Sequence, residues 1–374
     1  MNFTATISTQ RLKPQAFEQL KNKTMTSSNN KPEIETFPLI SVIIVNYNGL
    51  RFLENCLASL KKQTYPANRF EIIVVDNGSA DDSIAFIRNN SPEVKIIEAR
   101  KNLGFAAGNN LGFKHAKGDF FALLNNDTEV PENWLSALAD SMLKSKSIGL
   151  VTCKILFHGD RQTINSTGLE LLSDGRGSDR GFREKDSGQY NQIEDVFGAC
   201  GASVLLRKEM LTDIGYFDER LFMYYEDLDL AWRAKLRNWR CVYTPETVVY
   251  HIHCGSSGEW SNFFTYHVER NRALVCVKNA PLGMALRCVS IVAIKSCIRI
   301  IQGLFMGIVQ REKIKIAKTY FHVLISLLYN LPSFIKTRYS IQNSRKTSRG
   351  EFKKWLGKQT KSPENSAPEL RRCA

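Results

Sequence analysis

Three largely apolar runs, each closing on a cluster of Asn, Asp or Gly, constrain the fold of this chain more than any other feature. Leu39-Ile40-Ser41-Val42-Ile43-Ile44-Val45 runs into Asn46-Tyr47-Asn48, Phe70-Glu71-Ile72-Ile73-Val74-Val75 into Asp76-Asn77-Gly78, and Gly118-Asp119-Phe120-Phe121-Ala122-Leu123-Leu124 into Asn125-Asn126-Asp127. Such runs, the first two rich in β-branched residues and all three lacking polar alternation, predict strands covered on both faces. Leu53, Leu57 and Leu60 recur at helical spacing between the first two, and Val94-Lys95-Ile96-Ile97-Glu98 predicts a further short strand. Strands alternating with helices imply an α/β fold with a Rossmann-like, mostly parallel sheet, whose ligands bind at the carboxyl ends of the strands. Asn, Asp and Gly are ordinary turn formers, but clusters at three strand ends of one sheet would share a single rim.

The remaining signals exclude several classes. Asn102-Leu103-Gly104-Phe105-Ala106-Ala107-Gly108-Asn109 lacks the G-x-G-x-x-G spacing, which disfavours a dinucleotide dehydrogenase. Nine cysteines lie singly with no C-x-x-C pair, so neither a disulfide framework nor a zinc ribbon is indicated. The formal net charge of +14 divides unevenly: residues 270–374 carry +17 and residues 1–269 carry −3. A globally basic nucleic-acid binder would not divide this way, and no nucleic-acid partner is expected. Residues 173–195, rich in Gly, Asp, Ser and Arg, are expected to form a mobile loop. The stretch Tyr224-Tyr225-Glu226-Asp227-Leu228-Asp229-Leu230-Ala231-Trp232-Arg233 predicts a helix with three carboxylates in its first turn, where the helix dipole alone would favour them. Thr247-Val248-Val249-Tyr250 predicts a strand ending in His251-Ile252-His253.

Taken in order, these segments resemble the family 2 glycosyltransferases of the GT-A fold, especially the bacterial rhamnosyltransferase-like branch. The matching elements are Val45-Asn46-Tyr47-Asn48, Asp76-Asn77-Gly78-Ser79-Ala80-Asp81, Asn102-Leu103-Gly104-Phe105-Ala106 with Gly108-Asn109, and Leu123-Leu124-Asn125-Asn126-Asp127-Thr128. They continue with Gly215-Tyr216-Phe217-Asp218-Glu219, Glu226-Asp227-Leu228-Asp229-Leu230, and His251 with Gly255, so that the resemblance spans about residues 38–270.

The resemblance implies transfer of a sugar from a nucleotide-diphosphate donor. It places Asp76 at the pyrimidine or ribose, with Tyr47 and Asn48 bordering that pocket and Asn102 and Asn126 as further donor-binding residues. The family's Asp-x-Asp motif falls on Asn125-Asn126-Asp127, with an amide replacing the first carboxylate. Asp127 is thus the principal expected ligand of a divalent cation (Mg2+ or Mn2+), with His251 a second and Asn125 a weaker third; His253 is the fallback for His251. Such a cation neutralises the departing diphosphate. The family's Glu-Asp pair falls on Glu226-Asp227, which makes Asp227 the general base for the acceptor hydroxyl and Glu226 its neighbour, positioning the acceptor or the loop. The family's precedent is direct displacement with inversion. Asp229 suits a capping or supporting role, and Leu228, Leu230 and Trp232 suit the core.

The expected organisation is a disordered polar extension (1–37), a GT-A domain (38–270), an amphipathic helical, membrane-associating region (271–345) and a basic flexible tail (346–374). Residues 282–309 are largely apolar but carry Arg287, Lys295 and Arg299, while 319–335 is charge-free yet holds His322 and the helix-disrupting Pro332. Neither makes a clean bilayer span of about 20 apolar residues. Apolar segments with basic flanks suit helices lying in an anionic membrane surface; a helical subdomain packed on the body is the plain alternative. The expectation is a peripheral enzyme on the cytoplasmic face of the cell membrane. It would move a sugar, rhamnose from a dTDP donor, onto a lipid-linked glycan acceptor for a surface polysaccharide. A UDP donor of galactofuranose or another hexose is the close alternative. A nucleotidyltransferase would need a basic, glycine-rich loop after the first strand, where only Gly49 and Arg51 stand; a non-catalytic nucleic-acid scaffold would rely on the basic tail.

Overall fold

The computed structural model describes residues 37–253, 261–306 and 310–357. The polar extension, Gly255 and its serine neighbours, and residues 358–374 lie outside the described residues. The apolar runs form β1 (Ile40–Asn46), β2 (Phe70–Asp76), β3 (Lys95–Glu98) and β4 (Phe120–Leu124). These four are mutually parallel, in the order β4-β1-β2-β3. Every residue of β4 and all but one of β1 is buried, as strands covered on both faces require. Register aligns the strand ends: Asn46 pairs with Asp76, and Ile43 with Leu123.

Beyond β4 the sheet becomes mixed. It adds β5 (Thr128–Glu129), β6 (Ile148–Phe157), β7 (Asp160–Ser166), β10 (Glu194–Val196), β11 (Ser203–Arg207) and β12 (Arg240–His251). β11 inserts antiparallel between β4 and β6, and β12 runs parallel to β6. A register shift in β12 between Thr244 and Val248 bends that strand, and β5 then pairs His251 with Thr128. The fold class is therefore the expected one, a mostly parallel α/β sheet followed by helices.

The helices α1 (Leu50–Lys61), α2 (Ser83–Asn90), α3 (Gly104–His115), α4 (Trp134–Leu143) and α5 (Lys208–Ile214) connect these strands. Leu53, Cys56, Leu57 and Leu60 bury the face of α1 that their spacing predicts, and Trp134 on α4 satisfies its indole N–H on Ser203 Oγ at 3.0 Å. Burying each such leucine contributes about 1.5–3 kcal/mol. α3 explains the non-dinucleotide glycine pattern. A Cβ at Gly112 would lie 2.5 Å from Ile43 Cγ2, and Gly104 (φ +81°) would meet Phe222 O at 2.5 Å. The glycines bring helix and sheet together rather than cradle a phosphate.

A smaller sheet holds β8 (Leu169–Leu172) between β9 (Gly177–Asp179) and β13 (Leu356–Gly357). The helices α6 (Glu226–Leu236), α7 (Asn262–Asn279), α8 (Leu282–Met306), α9 (Arg311–Ser344) and α10 (Arg349–Lys354) complete the chain. Trp232 is a core residue: it is fully buried and stacks on Phe352 of α10, with ring centroids 5.8 Å apart. Asp229 has the supporting role. Its carboxylate accepts from Arg233 Nε (2.9 Å), Lys278 Nζ (2.9 Å) and Asn279 Nδ2 (2.7 Å). Lys278 also reaches Asp218 at 2.7 Å, so one buried ammonium on α7 joins two acidic motifs. Lys278 and Arg220 together hold Asp218 well below the usual carboxylate range against its burial.

Several expectations are revised. Residues 173–195 are not a mobile loop: they contain β9 and the start of β10, Arg183 N donates to Ile164 O (2.8 Å), and the buried Lys154 ammonium ties down Asp186 (2.8 Å) and Asn191 (2.8 Å). The polar composition is spent on internal bonds. Pro332 does not end its helix; Asn330 Nδ2 donates to Ser326 O (2.8 Å) and Ser333 Oγ to Asn330 O (2.9 Å) around the missing N–H. The boundary expected at residues 270 and 271 falls inside the continuous α7. Residues 346–357 of the expected flexible tail are ordered by a capping box at Ser348 and Glu351 and by burial of Phe352. Arg338 closes the end of α7 by donating to Val277 O (2.8 Å) and Ala280 O (2.6 Å). Among the described residues no helix is long and apolar enough to cross a membrane.

Candidate active site

The carboxyl ends of β1, β2 and β4 are linked by one buried amide. Asn46 Oδ1 accepts from Asn126 Nδ2 (2.8 Å), while Asn46 Nδ2 donates to Asp76 Oδ1 and to Ser79 Oγ (each 3.3 Å). The other Asp76 oxygen accepts from Ser79 N (3.0 Å), and the side chain is 2% exposed. Asn48 adopts a left-handed conformation (φ 50°) and its Oδ1 accepts from Ala80 N at 2.7 Å. Tyr47, 41% exposed, projects from the rim. Asn102 accepts from Gly104 N (2.8 Å) at the start of α3 and from Asn77 Nδ2 (3.1 Å). Thus Tyr47, Asn48, Asp76 and Asn126 come together, and Asn102 joins through Asn77. Asn126 and Asn102 spend their side chains on the frame of this rim.

The second group forms where β4 and β12 end. Asp127 Oδ1 lies 3.3 Å from His251 Nε2, both side chains being buried. Asn125 Nδ2 lies 3.2 Å from the same nitrogen. On the other side of the ring, His251 Nδ1 is 2.8 Å from Asn165 Oδ1, an acceptor without hydrogens. With that amide orientation Nδ1 donates to Asn165, and Nε2 faces both Asp127 and the Asn125 amide. A carboxylate oxygen and an imidazole nitrogen 3.3 Å apart are spaced to share one cation, since neighbouring ligands of a six-coordinate Mg2+ lie about 3 Å apart. Asn165 gives the His251 ring the kind of outer hydrogen bond that orients an imidazole for a metal. Among the described residues no three His, Cys, Asp or Glu gather around one point. The pair therefore suits an ion whose remaining ligands are phosphate oxygens and water. Asn165 Nδ2 also meets His253 Nδ1 at 3.2 Å. His253 packs on Phe157 and Phe182, and burial, then the neighbouring His251, pushes it down to about 4, so it stays neutral as a packing residue.

The third group sits at the start of α6. Phe222, Tyr224 and Tyr225 all have positive φ (66°, 67° and 71°), a conformation that costs non-glycine residues about 1–3 kcal/mol each. Asn271 of α7 sustains it by donating to Met223 O (2.9 Å) and Tyr224 O (2.8 Å). Asp227 Oδ2 accepts from Gly201 N (3.2 Å) and Oδ1 from Leu228 N (2.7 Å); burial raises its acid against these bonds. Glu226 is buried, with Oε2 unpartnered, and burial followed by the Asp227 charge raises it well above the carboxylate range.

Two residues of this site escaped sequence reasoning. Asn165 stands in a polar edge strand without a motif. Asp179 ends β9, two residues beyond Gly177, whose N–H donates to Tyr225 Oη (3.3 Å) beside the start of α6; burial pushes Asp179 up to about 7. Only the folding of β7 and β9 against the rim brings either one in.

Residues 41–215 match the family model described as Glycosyl transferase family 2. An uncharacterised protein of Sinorhizobium fredii is 26% identical over 239 residues, covering 60% of this chain and 26% of that protein. The O-antigen biosynthesis protein RfbC of Myxococcus xanthus is 27% identical over 224 residues, covering 57% of this chain and 17% of that protein. The poly-beta-1,6-N-acetyl-D-glucosamine synthase of Staphylococcus aureus is 27% identical over 233 residues, covering 59% of this chain and 52% of that protein. The match to this chain thus leaves about half or more of each relative's length unspanned. Among solved structures, GalNAc-T7 with UDP, GalNAc and Mn2+ superposes with a TM-score of 0.56 at 16% identity, over 80% of this chain and 58% of that one. At that identity the likeness is one of fold.

Proposed function

We propose that this chain, residues 41–215 of which match the family 2 glycosyltransferase model, transfers a sugar from a nucleotide-diphosphate donor to a glycan acceptor with inversion. The observation that carries the reading is the placement of Asp227, held by Gly201 N and Leu228 N, on the same rim as the Asp127 and His251 pair. Asp227 takes the proton of the acceptor hydroxyl as that oxygen bonds to the anomeric carbon. The bond from that carbon to the diphosphate breaks, and the nucleoside diphosphate leaves. A general base is most effective with a pKa near the working pH, and burial moves Asp227 in that direction. Tyr47, Asn48 and Asp76 border the nucleotide. Asp127 and His251, with Asn125 beside them, would hold a Mg2+ or Mn2+ ion that neutralises the leaving group.

The finer reading is rhamnose from dTDP-rhamnose, moved onto a lipid-linked acceptor during surface polysaccharide synthesis; the names of the Myxococcus and Staphylococcus relatives support polysaccharide assembly. We place the protein on the cytoplasmic face of the membrane, bound through α8 and α9 to anionic lipid. Supporting this, 14 of the 21 exposed large hydrophobic residues among those described lie on these two helices, with Phe305 80% and Tyr329 85% exposed. Exposed Arg287, Lys315, Lys318 and Lys336 accompany them. Apolar surface of that extent, flanked by cations, fits a bilayer interface.

The test is nucleotide release by the full chain across dTDP-, UDP- and GDP-sugars, with lipid-linked acceptors and Mg2+ or Mn2+. Release with dTDP-rhamnose alone supports the finer reading, and release with a UDP-hexose alone replaces it. Silence with every donor, or undiminished transfer by Asp227→Asn, refutes the enzymatic reading.

A further inference from the structure

Where α8 begins, the fold encloses a cavity lined by none of the site residues described above. It measures about 390 Å³, within the range of small-molecule sites. Met284, Phe352 and Leu356 give it apolar walls, and Gly283, Arg287 and Lys353 also line it. The walls are fixed before any ligand arrives. Leu356 belongs to β13, which pairs with β8 opposite Leu171, and Phe352 is held by its stack on Trp232. Gly283 and Arg287 stand one turn apart on α8 and so share the face turned to the cavity. A Cβ built on Gly283 would meet nothing within 4 Å, so the helix leaves open space there.

The charge in this cavity is of one sign. Arg287 and Lys353 are exposed, and among the described residues neither side chain has a hydrogen bond or an ion pair. No carboxylate of the described residues lines the cavity. The acids nearest in sequence are committed elsewhere: Asp174 Oδ2 accepts from Arg176 Nε (2.8 Å) and Glu351 Oε2 from Ser348 N (2.8 Å). Apolar walls beside two uncompensated cations call for a ligand that is both apolar and anionic. Residues 358–374 are themselves net basic, with four Lys and Arg against two Glu, so charge disfavours that segment as the occupant. A phosphodiester carrying hydrocarbon chains meets both demands. Its phosphate oxygens would accept from the guanidinium and the ammonium, and its first chain carbons would lie on Met284, Phe352 and Leu356. Leu282 and Leu286, exposed on the neighbouring row of α8, continue the apolar surface outward for the rest of the chains.

We propose that this cavity is a binding site for one molecule of anionic phospholipid, with the phosphate between Arg287 and Lys353. This goes beyond the membrane attachment proposed above, which needs only the outer faces of α8 and α9 and no defined stoichiometry. The bound lipid would brace Phe352 and, through the stacked rings, Trp232 of α6. A ligand held by the folded form alone raises the unfolding midpoint.

The test uses the full chain and dihexanoyl phosphatidylglycerol below its micelle concentration, so that single lipid molecules and not a surface are offered. Calorimetry measures affinity and stoichiometry, with dihexanoyl phosphatidylcholine and inorganic phosphate as controls. The expected result is saturable one-to-one binding of phosphatidylglycerol, a raised unfolding midpoint, and weaker binding of both controls. Two variants probe the two halves of the site. Gly283→Leu fills the open space, and Arg287→Gln with Lys353→Gln removes the charge; each should weaken the lipid about 10-fold or more. The midpoint of unliganded Gly283→Leu should not fall, because leucine favours a helix more than glycine does. Binding that does not saturate, equal affinity for phosphatidylcholine or for inorganic phosphate, or wild-type affinity in either variant overturns the proposal. So does a dimer that Gly283→Leu dissociates, which would give the cavity to a second copy of the chain. Vesicle flotation reads the attachment of α8 and α9 separately, and its failure would leave one-to-one binding of the monomeric lipid standing.

Discussion

The structure makes the loss of Lys278 costly, and the size of that cost can be reasoned out. Its ammonium is 2% exposed and lies 2.7 Å from Asp218 and 2.9 Å from Asp229, the latter fully buried. Lys278→Met keeps the aliphatic length and removes the charge. Removing one partner of a buried ion pair costs about 3–5 kcal/mol, because the remaining charge is left uncompensated. Arg220 still reaches Asp218 and Arg233 still reaches Asp229, so the lower end, about 3 kcal/mol, is expected. At about 2 °C per kcal/mol for a chain of this size, the unfolding midpoint should fall by about 6 °C. The pH dependence carries a sign. Asp218 is held below its unfolded value of about 3.9 partly by Lys278. That contribution is complete above about pH 5 and is lost as the pH falls through the folded pKa. The gap between wild type and variant should therefore be widest at neutral pH and narrow below about pH 4. Urea unfolding followed by circular dichroism at pH 7 and pH 3.5 measures both. A variant within 1 kcal/mol of wild type at pH 7, or a gap that widens in acid, would refute the argument.

Other outcomes follow from the same geometry. Asp227→Asn should lower transfer by about 10²–10⁴-fold without unfolding the protein. In the wild type the acid limb of kcat/KM should lie above the ordinary aspartate value of about 3.9, since burial raises this acid; a limb at or below that value contradicts the assignment. Asn165→Ala frees the His251 ring and should weaken Mn2+ binding about 10–100-fold, read by calorimetry in the presence of nucleoside diphosphate. Unaltered Mn2+ affinity would remove His251 and its partner from the metal site. Leu286→Asp with Phe305→Asp should abolish flotation with vesicles containing anionic phosphatidylglycerol while sparing the midpoint. Flotation that persists would place any membrane contact elsewhere.

The parallel half of the fold was legible because burial on both faces leaves a local mark: no polar residue can interrupt Val42 to Val45 or Ile72 to Val75. Strand ends were legible for the same reason, since polarity resumes where the sheet stops. The order of strands beyond β4 was not, because the antiparallel insertion of β11 and the pairing of β12 with β6 are long-range contacts that leave no periodicity. Within the site, Asp127, His251 and Asp227 stand in recognisable motifs. Asn165 and Asp179 do not, and their surroundings, rich in Asp, Ser and Gly, look like solvated loop. That polar composition answers the buried Lys154, whose ammonium needs several oxygens, and a hydrophobicity pattern cannot represent such a need. Asp229 illustrates the reverse. It shares a motif with Asp227, two residues away, yet the helical turn aims it into the core at Lys278.

The continuity of α7 has a consequence for how position and activity relate in this protein. Trp232 of α6, the helix that carries Asp227, stacks on Phe352 of α10, and Val323, Leu327 and Phe334 of α9 are buried in the same core. A chain cut before α8 would lose one wall of that core, so removing the basic helices should destabilise α6 together with the Asp227 it carries. Lipid seated on α8 and α9 would bind only the folded form and so stabilise it by mass action. The melting temperature of the whole domain would then report whether its far helices have met a surface.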